Sequence, residues 1–113
     1  MKASVAAARW VLTATAETRR QLRDGRVDEV TLPAPPASCL PSWRAARVAL
    51  RLSTRNCLVR SLVRQAWLAA AGNQRDVVIG VRRSPEFGAH AWIDGDPIRP
   101  EDAFEELLRL PSR

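Results

Sequence analysis

The apolar positions of this 113-residue chain change period near Gly72, from helical spacing before it to strand-like runs after it. Residues from about Ala3 to Leu22 read as a helix, with Val5, Trp10, Leu12 and Ala16 among its apolar positions. Arg19, Arg20 and Arg23 gather toward the end, where cations complement the helix dipole. Asp24-Gly25 closes this helix as a turn. Val27 to Leu32 reads as a short extended piece. Pro33, Pro35 and Pro36 then forbid regular structure and predict a connector drawn across the surface. Pro41-Ser42-Trp43 opens a second helix that runs to about Leu52, with Arg44, Arg47 and Arg51 at helical spacing. Ser53-Thr54-Arg55-Asn56 interrupts it with capping residues, and a third helix follows from about Cys57 to Ala71, stopping at Gly72-Asn73. Its stripe of Leu58, Leu62, Ala66 and Ala69, flanked by Val59, Val63 and Ala70, marks it as the central core helix. Arg60, Arg64 and Trp67 fall on another of its faces.

Beyond Gly72 the β-branched run from Asp76 to Arg83 has strand length, Ser84 to Gly88 reads as a turn, and Ala89 to Asp94 reads as a second strand whose alternate positions bury Trp92. Gly95-Asp96-Pro97 turns into a short return around Ile98, and Pro100-Glu101-Asp102 also reads as the start of a last helix ending near Leu110. Helices followed by an antiparallel meander predict an α+β fold. The length and the 46% hydrophobic content suffice for one compact domain and not for two. Within it, residues 1–40 form the N-terminal helix and proline-rich connector, and residues 41–113 form the core.

Charge narrows the partners. Eighteen basic against twelve acidic residues give a formal net charge of +6 and a pI near 11.1. Only Lys2 is a lysine, so the basic surface is arginine, whose planar fork suits carboxylates and phosphates. The arginines are spread along the chain with no interleaved aromatic stacking motif, which reads as a solvated surface and predicts no nucleic acid partner. Cys39 and Cys57 are too few for a disulfide framework. The run from Val5 to Leu12 is broken by Arg9, is too short to cross a membrane, and leads directly into Glu17, Arg19 and Arg20 in a helical pattern. No membrane association and no signal peptide are expected, and the expected compartment is the cytoplasm.

Two strings carry candidate chemistry. Asn56-Cys57-Leu58-Val59-Arg60-Ser61-Leu62 places a cysteine at a helix start, and Gly88-Ala89-His90-Ala91-Trp92-Ile93-Asp94 places the only histidine in a strand. A thiol there faces the positive end of the helix dipole, and an imidazole is the side chain suited to take a proton near neutral pH. Together they predict a cysteine nucleophile with its base. Taken singly, Cys57 also reads as a core cysteine beside Leu58 and Leu62, and His90 as a satisfied strand-edge histidine. A base needs a third group to hold its tautomer, and Asp94, Asp96 and Asp102 follow closely. One histidine and two distant cysteines do not make a zinc site, so neither metal nor cofactor is expected.

The cysteine string with Gln65 after it, then Val78-Ile79-Gly80-Val81-Arg82-Arg83, then Ala89-His90-Ala91-Trp92 resemble the leader peptidase of lasso peptide biosynthesis. That enzyme is the peptidase half of the B protein, a transglutaminase-like cysteine peptidase, and the likeness covers about residues 40 to 102. It implies a transglutaminase-like, papain-like core and a Cys-His-Asp triad in which Cys57 and His90 carry over directly. For the acid, Asp102 stands twelve positions after His90 and matches the family spacing, although Gly95 makes the intervening hairpin shorter than usual. Asp94 lies on the same strand and face as His90 but about 13 Å along it, too far for direct contact. Asp102 is therefore the choice; its other reading is an acid in the first turn of the last helix.

The resemblance also implies a reaction. The Cys57 thiolate attacks the last leader carbonyl of a ribosomally made precursor, the Cys57 N–H helps hold the oxyanion, and His90 protonates the leaving amine. Water then frees the leader, and a separate ATP-dependent cyclase takes the core peptide. A chain this short shows no module for gripping a leader, so a small winged-helix-like protein that binds the leader as an added strand is the implied partner. Trp10 is either an anchor for that protein or a core residue. Two other functions fit the residues: transfer of the same acyl-enzyme to an amine, and a noncatalytic adaptor that binds peptide through its arginine faces.

Overall fold

The computed structural model describes residues 2–83, 86–97 and 104–112, and among them three α-helices precede a three-stranded antiparallel sheet. Helix α1 spans Lys2–Asp24, α2 spans Trp43–Ser53 and α3 spans Cys57–Ala70; strands β1, β2 and β3 are Val77–Arg82, Gly88–Ile93 and Glu105–Leu110. This is the α+β architecture that the change of period predicts.

Helix α1 buries Ala7, Trp10, Val11, Ala14, Thr15 and Thr18, steps of three and four that keep one face turned inward against α2 and α3. Trp67 of α3 lies at the centre of that packing, 3% exposed, with ring centroids 5.8 Å from Trp10 and 5.5 Å from Trp43. Trp67 therefore belongs to the core rather than to an arginine face, because helices cover α3 on that side as well. Truncating such a tryptophan costs about 3–5 kcal/mol, a large share of a domain's stability. Trp10 is also a core residue, which removes it as an exposed anchor for a partner. Its indole N–H donates to the carbonyl of Pro33 at 3.2 Å and draws the connector onto α1.

The connector is more ordered than its prolines predict. The Gln21 amide donates to the Thr31 carbonyl at 2.8 Å and accepts the Thr31 N–H at 2.9 Å, a reciprocal pair that pins the return of the chain. Val27–Glu29 and Ala37–Ser42 are 3₁₀ turns, not extended chain. Their short-range bonds, Glu29 N–H to Arg26 and Cys39 N–H to Pro36, satisfy backbone groups where proline supplies no donor.

The strand order is β2-β1-β3, so β1 is central and the chain crosses from one side of it to the other. Two expectations fail here, the meander and the helix ending near Leu110. Residues 105–110 pair with β1 instead, Val77 opposite Leu110 and Val78 opposite Arg109, with a bulge between Ile79 and Gly80. A β-branched strand paired on one side only exposes a row of unsatisfied backbone groups; a second partner satisfies them, which outweighs a weak helical preference. The expected return around Ile98 lies outside the described residues.

The phase of β2 is also reversed from expectation. Ala91 and Ile93 are buried, packing with Leu62 and Cys57 of α3, while His90 and Trp92 share the other face. Alanine at 91 lets the start of α3 come close, where tryptophan would hold it away. On the far face, a Cβ at Gly80 would lie 2.8 Å from Trp92 and 2.9 Å from Cβ of Phe104, so the aromatic side chains close directly over a glycine.

Candidate active site

The start of α3 is built by local bonds. The Thr54 N–H bonds the Leu50 carbonyl at 3.3 Å as α2 ends, and the Asn56 N–H bonds the Thr54 hydroxyl at 3.1 Å. The Asn56 carboxamide then accepts the N–H groups of Leu58 at 2.9 Å and Val59 at 3.1 Å. That cap leaves out the N–H of Cys57, which at the first helical position has no acceptor within the helix. Arg60 braces the junction, donating to the carbonyls of Thr54 at 2.7 Å and Arg51 at 3.1 Å.

Strand β2 is an edge strand, and its backbone meets this helix start. The Asp94 N–H crosses to the Asp76 carbonyl at 2.9 Å, so alternation turns the N–H groups of Ala91 and Ile93 toward the open side. The Ala91 N–H donates to Sγ of Cys57 at 3.4 Å, and the Ile93 N–H to the Asp96 carboxylate at 3.3 Å. Cys57 is thus half-buried at the free edge of the sheet, with a backbone donor on its sulfur and another, its own N–H, beside it.

A cavity of about 440 Å³ opens at this edge, bordered by Cys57, His90, Trp43 and Asp96 and by four arginines, Arg47, Arg51, Arg60 and Arg64. Cys57 and His90 share the cavity without a hydrogen bond between them. The His90 ring stacks on Trp92 at 5.9 Å between centroids and packs on Phe104 at 5.5 Å. A larger groove of about 660 Å³ runs beneath β3 along Ala66, Ala69 and Leu110 and holds neither residue. Gln65 borders that groove and is a tie rather than a site residue. Its amide donates to the carbonyls of Arg75 at 2.9 Å and Leu110 at 2.8 Å, linking α3 to the sheet.

Of the candidate acids, Asp102 lies outside the described residues; Phe104, the next described residue, is the one packed on His90. Asp94 is exposed and bonds Arg109 at 3.1 Å. Asp96 is the carboxylate that borders the cavity, held by Arg64 through two bonds of 2.9 and 3.2 Å. Burial pushes its carboxyl up, but the Arg64 hydrogen bonds and charge, with the Ile93 N–H, outweigh that and hold it below the ordinary aspartate range. A lowered folded value means that the stabilisation is complete above about pH 5 and is lost as pH falls through the folded value. Asp96→Asn is therefore expected to lose about 1 kcal/mol at neutral pH and to show a shallower loss of stability below about pH 4 in urea unfolding followed against pH. An equally steep acid limb in wild type and variant would contradict this assignment.

The arginine cluster is the feature that the sequence reading missed. Each helix carries its pair four residues apart, which places both members on one side. Only the packing of α2 beside the start of α3 brings the two pairs to one cavity.

Among the described residues no helix is long and apolar enough to cross a membrane, and no three His, Cys, Asp or Glu side chains gather as metal ligands. No curated protein and no solved structure is significantly similar to the chain. A family model described as the transglutaminase-like superfamily matches residues 2–109. The match takes in α1 and the connector as well as the cysteine and histidine strings, well beyond residues 40 to 102. With nearly the whole length matched, and an α+β fold that sets a cysteine at a helix start against a sheet edge, the chain belongs to the transglutaminase-like superfamily.

Proposed function

We propose that this protein is a cysteine peptidase that removes the leader from a ribosomally made lasso peptide precursor. The observation that carries the reading is the placing of Cys57 at the first position of α3, where the Asn56 cap leaves its N–H free, with its sulfur bordering a cavity shared with His90. The transglutaminase-like superfamily, which includes cysteine peptidases and acyltransferases, supports the chemistry. The cysteine and His-Ala-Trp strings support the narrower substrate class.

In the proposed reaction His90 takes the Cys57 proton and the thiolate adds to the scissile carbonyl, whose oxygen is held by the Cys57 N–H. His90 returns the proton to the leaving amine as the C–N bond breaks, leaving a thioester. Water adds next, giving its proton to His90, and the thiol re-forms as the leader acid departs. Catalytic hydrogen bonds tighten in the substrate complex, and here the His90 ring, which leaves β2 on the face opposite Ala91 and α3, must give up its contacts with Trp92 and Phe104 and turn around the edge of β2 to reach Sγ. An aromatic contact is worth about 0.5–1.5 kcal/mol, small beside the barrier that base catalysis removes. Asp102 is the proposed third member of the triad.

The test is cleavage of a lasso precursor by the full chain, with and without a small leader-binding protein, read by mass spectrometry. The expected products are a leader and a core peptide whose summed mass exceeds the precursor by one water, with strong stimulation by the binding protein. Leader joined to an added amine, with no water gained, places the activity with the acyltransferases instead. Full activity of the chain alone removes the partner requirement, and an intact precursor in both arms removes the leader peptidase reading.

A further inference from the structure

The cavity beside Cys57 concentrates arginine: four guanidinium-bearing side chains border it against one carboxylate, Asp96. Two of the four are committed within the protein. Arg64 neutralises Asp96 through two bonds, and Arg60 donates to two backbone carbonyls, which fixes its position and leaves its charge unbalanced. Arg47 and Arg51 stand one turn apart on α2, exposed, and neither side chain makes a hydrogen bond or ion pair with any described residue. Arg51, in the last turn of α2, complements the helix dipole; Arg47, a turn earlier, has no such structural use. Converging like charges around a concave site repel one another, and an anion bound among them relieves that repulsion with charge-assisted hydrogen bonds.

We infer that Arg47 and Arg51 select peptides that carry a carboxylate side chain beside the bond attacked by Cys57. This inference rests on the peptidase reading of the cavity. A cavity of 440 Å³ accommodates a few peptide side chains rather than a nucleic acid helix. A guanidinium fork also matches a carboxylate in two parallel bonds, which a neutral amide returns only in part.

The test reads binding without turnover. Two short fluorescein-labelled peptides, identical except for Glu or Gln at the residues flanking the central bond, are titrated into the full-length Cys57→Ala protein at low and at physiological salt. The Glu peptide is expected to bind about tenfold more tightly at low salt, with the advantage shrinking as salt rises. In Arg47→Gln/Arg51→Gln on the same background the two affinities converge. In Arg44→Gln, whose residue does not border the cavity, the preference persists. Equal binding of the two peptides, or a preference that survives the double substitution, overturns the inference. So does displacement of the Glu peptide by a single-stranded oligonucleotide at lower concentration than by the unlabelled peptide, which assigns the arginines to nucleic acid. Because no bond is broken in this assay, the preference stands or falls apart from the role of Cys57, which cleavage by Cys57→Ala decides on its own.

Discussion

Cys57→Ala is expected to abolish cleavage, by about 10⁶-fold where the uncatalysed background allows it to be measured, the scale seen when a nucleophile is removed from a hydrolase triad. The fold should survive, because Cys57 borders a cavity and its sulfur takes part in one long bond from the Ala91 N–H. A circular dichroism melt within a few degrees of wild type checks this. The two cysteines offer an internal control. Cys39 is 0% exposed and its thiol donates to the Pro36 carbonyl at 3.1 Å, whereas Cys57 is half-buried at an open edge. Iodoacetamide followed by peptide mapping should therefore modify Cys57 long before Cys39, which reacts only as the protein unfolds. Equal labelling rates, or an alanine variant that still cleaves the precursor, would remove Cys57 from the nucleophile's role.

Asp102→Asn is expected to lower the cleavage rate by about 10⁴-fold, the size of effect found when the acid that orients a catalytic histidine becomes an amide. Asp94→Asn should cost far less. The Asp94 carboxylate is already engaged by Arg109, which also holds Glu106 at 2.9 Å, and this exposed cluster joins β2 to β3 across β1. Removing Asp94 loosens a surface network worth a fraction of a kcal/mol. The reverse ranking of the two variants would transfer the orienting role to Asp94.

The pieces of the site that follow from chain-local rules were legible before folding was considered. Asn56 is a strong N-cap residue directly before a helical stripe, so the first helical residue is Cys57 by local chemistry alone. The structure keeps that assignment with α3 beginning at Cys57. Helices α1 and α2 were similarly readable from their spacing, to within a residue or two at their ends. Strand β3 was not, because Glu105-Glu106-Leu107-Leu108-Arg109-Leu110 has no alternation that marks one face. Its state depends on the unpaired edge of β1. Trp92 misled for a related reason: period two sets which residues share a face and is silent on which face turns inward.

Length, composition and local pattern by themselves determined that this protein joins a helical half to a strand half, that a cysteine opens its central helix, and that its only histidine rides a strand. Those are properties of neighbouring residues, settled by capping, turn chemistry and side-chain periodicity. Tertiary structure alone decided that β1 lies between β2 and β3, that Ala91 rather than Trp92 faces α3, and that Trp10 and Trp67 meet in the core. It alone brought the arginines of α2 and α3 to the cavity of Cys57. Each of these depends on contacts between segments far apart in the chain, where burial and hydrogen-bond satisfaction outweigh the preferences of any single stretch.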